Sequence, residues 1–130
     1  MDKLRRVLIC EDSRIVGRLL ECTTSKYGYS TDAIVQTGEE AIEQVVKNAP
    51  DLVLMDVGLP GITGIEAAKI IKRLSPETRV ILVTAQRPCI SEILVSGIDG
   101  LCTKDLLSTQ LYSAIKASED GICWLDLRVA

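Results

Sequence analysis

At 130 residues the chain is the size of one ordinary domain, and with 47% hydrophobic residues it buries a real core, which excludes a disordered segment. With 15 basic against 18 acidic side chains the net charge is −3, so there is no footprint for nucleic-acid binding by this segment itself. No apolar run reaches the length of a membrane span and the N-terminus lacks a signal peptide's apolar core, so a cytoplasmic protein without a membrane partner is expected.

The five cysteines are dispersed, odd in number and without C-x-x-C spacing. Cys10 and Cys102 fall in apolar runs and read as small buried hydrophobes. The chain has no histidine, which removes Cys/His zinc sites and Ser-His-Asp or Cys-His catalysis.

In chain order, Val7-Leu8-Ile9-Cys10 reads as a buried strand ending in Glu11-Asp12. Ser13 caps a helix through Ile15, Val16, Leu19, Leu20 and Thr23, stopped at Gly28. Ser30 to Gln36 has a weaker apolar pattern and reads as a strand nearer an edge. Thr37 caps a second helix, with Glu40 completing a capping box and Ala41, Ile42, Val45, Val46 and Ala49 expected on its inner face. Pro50 ends it. Leu52 to Met55 is an unbroken apolar run, bounded by Asp56 and the turn formers Gly58, Pro60 and Gly61. It reads as a strand buried on both faces, although periodicity alone leaves a buried helix open.

Thr63 opens a third helix through Ile65, Ala68, Ile71 and Leu74, closed before Pro76. Val80 to Val83 is a fourth strand, ending at Thr84-Ala85. Ile90, Ile93, Leu94 and Gly97 suggest a short fourth helix. Gly100 to Thr103 is a fifth strand ending at Lys104, and Leu107, Leu111 and Ile115 share one face of a fifth helix broken by Gly121. The order is β-α five times over, which implies an α/β fold: a five-stranded parallel sheet, doubly wound, (βα)5. Right-handed crossovers put every strand's carboxyl end on one edge. Glu11, Asp12, Asp56, Thr84 and Lys104 therefore converge in space though far apart in sequence.

Three clustered carboxylates repel one another unless a cation relieves them, and an oxygen-only set suits Mg²⁺ with phosphate oxygens as further ligands. Asp56 is then a candidate nucleophile toward phosphorus, Lys104 a point charge for phosphoryl oxygens and the Thr84 hydroxyl a donor to one of them. Each residue alone has an ordinary explanation: a turn start, a solvated cation, a strand end, an acidic helix entry. At four strand ends together, the joint site explains them better.

The set Glu11-Asp12, Asp56 with Leu59-Pro60-Gly61 and Gly64, Thr84-Ala85 and Lys104 resembles the response-regulator receiver domains of two-component signalling, which have a flavodoxin-like fold. The resemblance implies that Asp56 accepts phosphate from a sensor histidine kinase's phosphohistidine. It implies Mg²⁺ ligation by Asp12, Asp56 and the carbonyl of Gly58, with Glu11 acting partly through water. It also implies that Thr84 moves toward the phosphate, that Lys104 pairs with it, and that a face made of the fourth helix, fifth strand and fifth helix responds, with phosphorylation-dependent homodimerisation as one outcome. Such a domain is a phosphoacceptor, not an enzyme beyond its own phosphoryl chemistry. Two positions depart from the family pattern: Asp105 stands where proline often follows the lysine, and Leu101 replaces the switch aromatic. Gly58 and Gln86 occupy positions that, in the family, tune the lifetime of the acyl phosphate.

The motif after Asp56, the pair Lys104-Asp105 and the tail Gly121 to Leu125 look most like the LuxR-type subfamily, in which a DNA-binding helix-turn-helix domain follows a linker. The expected organisation is a receiver domain over residues 1–119, with 120–130 a tail or the start of a linker to an output domain. DNA would be met only through that further domain. The alternatives are a stand-alone receiver, or a receiver-like interaction module that no longer uses phosphate. A haloacid-dehalogenase-like phosphatase needs a second carboxylate where Gly58 stands. A flavodoxin's phosphate loop would meet Glu11-Asp12.

Overall fold

The computed structural model describes residues 5–85, 96–104 and 107–125. The elements are β1 (Arg5–Cys10), α1 (Arg14–Lys26), β2 (Tyr29–Val35), α2 (Gly38–Asn48), β3 (Leu52–Asp56), α3 (Gly64–Leu74), β4 (Arg79–Thr84), β5 (Gly100–Thr103), α4 (Leu107–Glu119) and β6 (Trp124–Leu125). The helix expected around Ile90, Ile93 and Leu94 lies outside the described residues, as do Gln86 and Asp105, so α4 is the helix expected fifth.

All strands run parallel, in the order β2-β1-β3-β4-β5-β6. The doubly wound α/β reading holds. The apolar residues alternate between the faces of the sheet, as a period of two requires. Leu8, Val53, Met55, Val80, Leu82 and Leu101 meet α2 and α3 on one face. Val7, Ile9, Leu54, Ile81, Val83 and Cys102 meet α1 and α4 on the other. Burial on both faces is why β1, β3 and β4 read as unbroken apolar runs. β2 is an edge strand, as its weaker pattern suggests. A bulge at Asp32 shifts its register, and Asp32 pairs with Arg6 at 3.2 Å.

The sheet has six strands rather than five. Gly121, at φ +75, turns the chain after α4, the Ile122 N–H donates to the Ala117 carbonyl, and Trp124-Leu125 pairs with Gly100-Leu101. The chain up to Leu125 thus packs back on its own domain and covers an edge that β5 would otherwise present. A two-residue strand has no periodicity to read.

Two helix faces are also corrected. Val46 and Ala49 were expected inside, but Val46 is 68% exposed and Ala49 is the C-cap of α2 in the left-handed region (φ 45). In α1, Ile15 and Leu19 face solvent, and the buried stripe runs through Gly17, Leu20, Thr23 and Thr24. Helical spacing finds apolar residues but not the width of the stripe that the sheet covers. The N-caps are as read: Ser13, Thr37 and Thr63 accept from the N–H groups of Val16, Glu40 and Glu66.

Candidate functional site

The strand order places a switch point between β1 and β3, where connections leave toward opposite faces and the carboxyl ends leave a crevice. Glu11 follows β1 and stays in the sheet's hydrogen-bond pattern, its N–H donating to the Val35 carbonyl at 2.9 Å. Asp12 comes next and is exposed. Asp56 ends β3 and is buried. One oxygen from each of these carboxylates falls within 4.8 Å of the others. Lys104 reaches in from the end of β5, with Nζ 3.1 Å and 3.2 Å from the Glu11 oxygens and 3.3 Å from Asp56 Oδ2.

The ammonium thus meets two of the three clustered carboxylates. Burial, then the neighbouring charge of Asp56, pushes the Glu11 carboxyl above its usual range, against the pull of Lys104. Burial works against the Lys104 charge, but the bond to Glu11 and the Asp56 charge together outweigh it and raise the ammonium. Glu11 Oε1 accepts from the Ser13 N–H at 3.2 Å, whereas the buried Oε2 accepts no directed hydrogen bond among the described residues. An all-oxygen donor set with surplus negative charge fits a hard divalent cation. Cys10 is no rival ligand or nucleophile. Burial, then Asp56 and Glu11, pushes its thiol up to about 12, and Sγ–H donates to the Thr37 carbonyl.

Of the other expected site residues, Gly58 hooks back on the cluster: its N–H donates to Asp56 Oδ1 at 3.2 Å. Thr84 ends β4, buried on the same edge, one residue beyond the Val83 that pairs with Asp56. The position of the switch aromatic, Leu101, is buried in the core face that meets α2 and α3. Gly64 has a physical reason to be glycine, since a Cβ there would sit 2.1 Å from the Asp56 carbonyl oxygen. The start of α3 packs against the backbone of the very residue that ends β3.

Two features of this edge escape sequence reading. A cleft of about 410 Å³ beside the cluster is lined by Glu11, Arg14, Arg18, Ile34 and Gln36. Glu39, on the first turn of α2, accepts the N–H of Ile62 in the β3–α3 loop at 3.0 Å. Glu40 had a sequence signal as a capping partner. Glu39 had none, because its contact lies 23 residues away.

A doubly wound parallel sheet carrying an acidic cluster and a lysine at its switch point is the arrangement of a receiver-type domain. The family model for the response regulator receiver domain matches residues 7–116, and the chain belongs to that family. The family has no catalytic activity beyond its own phosphorylation chemistry. The chain is 28% identical to the chemotaxis protein CheY of Thermotoga maritima over 113 residues, 85% of this chain and 94% of that protein. A two-component response regulator of the LuxR family from Aurantimonas sp. is 27% identical, with a TM-score of 0.83 over 98% of this chain and 93% of that one. The N-terminal domain of a response regulator/sensory box/GGDEF three-domain protein from Carboxydothermus hydrogenoformans is 30% identical, with a TM-score of 0.78 over 88% and 93%. These likenesses support a receiver without narrowing the subfamily. Among the described residues no helix is long and apolar enough to cross a membrane.

Proposed function

We propose that the domain is a phosphorylation-controlled signalling switch whose acceptor is Asp56. A carboxylate oxygen of Asp56 forms the new bond to phosphorus as the bond to the imidazole nitrogen of a sensor histidine kinase's phosphohistidine breaks, and the nitrogen keeps the electron pair. The observation that carries this reading is the contact of Lys104 Nζ with both Asp56 and Glu11 at the end of β5. That ammonium is held where negative charge accumulates on phosphoryl oxygens. Asp12, Asp56 and the Gly58 carbonyl would hold Mg²⁺, with Glu11 behind them. The cation would neutralise phosphate charge and let carboxylate and phosphate approach. Thr84, on the same edge, would donate to a phosphoryl oxygen. The added charge then biases a two-state surface.

A transcriptional output, through a helix-turn-helix domain elsewhere in a longer protein, is supported by the likeness to a LuxR-family regulator and by the residues after Asp56 and Lys104. A reading frame that continues into a helix-turn-helix is its test.

Intact mass after incubation with acetyl phosphate tests the acceptor. One phosphoryl adduct is expected, dependent on Mg²⁺ and absent in Asp56→Asn. Because rapid hydrolysis can hide an adduct, beryllofluoride binding is measured in parallel. Failure of both in the wild-type protein would replace the switch with a phosphate-independent interaction module.

A further inference from the structure

The loop between β3 and α3 carries Gly58 at one end and Ile62 at the other, and both ends are tied down. At the near end Gly58 donates its N–H to the Asp56 carboxylate at 3.2 Å. At the far end Ile62 donates its N–H to Glu39 Oε1 at 3.0 Å. Gly61, between them, is at φ +80, and a Cβ on it would lie 2.9 Å and 3.0 Å from the two Glu39 carboxylate oxygens. The loop backbone therefore lies directly against that carboxylate. Gly38, next to Glu39, is packed as closely, since a Cβ there would meet the Ile62 side chain at 2.8 Å.

Capping accounts for only part of Glu39: its carboxylate also interacts with its own N–H and with the Thr37 hydroxyl, but Thr37 and Glu40 already serve the end of α2 with each other, and the foremost bond of Glu39 leaves the helix for Ile62. The Ile62 N–H is the foremost influence holding the Glu39 carboxyl below its usual range, so the charged form is the one that grips the loop.

We propose that Glu39 is a positioning residue for the phosphoacceptor site. It pins the β3–α3 loop from α2, so that the Gly58 backbone is preorganised beside Asp56 before cation or phosphoryl group arrives. The role rests on the reading of Asp56 as the phosphoacceptor. An unpinned loop samples other conformations, and binding must then select the competent one, which lowers apparent affinity by its population. A pinned loop removes that cost.

The test is Mg²⁺ and beryllofluoride affinity in Glu39→Ala, Glu39→Gln and Gly61→Ala, with hydrogen exchange at the Ile62 amide measured alongside. In Glu39→Ala, Ile62 exchange should quicken, and both affinities should fall about three- to tenfold, the range for one hydrogen bond. Gln keeps the acceptor and should restore most of both. Gly61→Ala both pushes the carboxylate away and strains the loop at its left-handed position, so it should lower both affinities at least as far as Glu39→Ala. The metal-free melting temperature of Glu39→Ala should stay close to wild type, which separates positioning from general destabilisation. Unchanged affinities despite faster Ile62 exchange, or unchanged exchange itself, would overturn the role of Glu39 alone. A wild-type protein that binds neither probe would overturn the reading of Asp56 and this role with it.

Discussion

The two ends of the sheet carry polar networks of similar extent and opposite character. At the amino end, Tyr29 is buried with its hydroxyl donating to Glu119 Oε2 at 2.7 Å and accepting from Arg79 Nη2 at 2.8 Å. The other arm of Arg79 donates to Ser118 Oγ, and Arg5 pairs with Glu119. Lys72 similarly joins Asp99 to the carbonyls of Pro76 and Thr78. Cations and acceptors are matched there, and the network ties β1, β2, β4 and α4 into one body. At the carboxyl end Lys104 pairs with Glu11 and Asp56, two of three clustered carboxylates, and the cluster keeps surplus negative charge. A satisfied buried network adds rigidity. A half-satisfied one is destabilising by itself. The amino end is matched in charge, whereas the carboxyl end keeps surplus negative charge.

The largest effect that sharpens this contrast should come from the amino end. Arg79→Ala removes two hydrogen bonds and leaves the buried Tyr29 hydroxyl with one partner fewer. A loss of about 2 kcal/mol is expected, read from the urea midpoint, with beryllofluoride affinity unchanged. A fall in affinity matching the loss of stability would show that the two ends do not act separately.

A smaller effect of opposite sign should come from the carboxyl end. Asp56→Asn removes a repelling charge beside Glu11, so the metal-free domain should gain about 1 kcal/mol at neutral pH even as it loses the proposed acceptor. Acid divides the ends further. Glu11 is raised above its ordinary value of 4.5, so its folded form binds the proton more tightly and its contribution is present at low pH and lost as pH rises through the raised value. Glu119 lies below 4.5, held there against burial by Tyr29 and Arg5, so its contribution is present above that value and lost as pH falls through the lowered one. Well above pH 4.5, where Glu119 is ionised in both states, the wild-type urea midpoint should decline as Glu11 ionises. Asp56→Asn should flatten that decline. An identical pH profile in the variant would mean that Glu11 does not sense Asp56.

The same division explains what the chain discloses by its sequence alone. The carboxyl edge was legible because the fold rule that aligns strand ends also aligns Glu11, Asp12, Asp56, Thr84 and Lys104, so their convergence could be read from position within each strand–helix unit. The buried strands were legible from unbroken apolar runs. The amino-end network was not, since Tyr29, Arg79, Ser118 and Glu119 have no shared spacing and meet only after the sheet assembles. Glu39 was hidden for the same reason, its partner being a backbone N–H in a distant loop. The sixth strand was hidden by its brevity, and the exposed faces of α1 and α2 by an apolar pattern wider than the surface that covers it.

The smallest effect concerns a place where the amino end holds strain rather than relieving it. Ala49 closes α2 at φ 45, a conformation in which its Cβ crowds the backbone. Arg6 Nη2 donates to the carbonyls of Asn48 at 2.6 Å and Ala49 at 3.0 Å, and this grip on the last carbonyls offsets part of the strain. Glycine would adopt the same turn without the clash, though it gains freedom in the unfolded chain. The net for Ala49→Gly is a stabilisation of about 0.5 kcal/mol, read as a higher urea midpoint with unaltered slope. With Arg6→Ala in the background the gain should be no smaller, because the turn then depends on its own preference. If it shrinks there, Arg6 and Ala49 act as one unit, and the strain at this end is held by the network rather than merely tolerated by it.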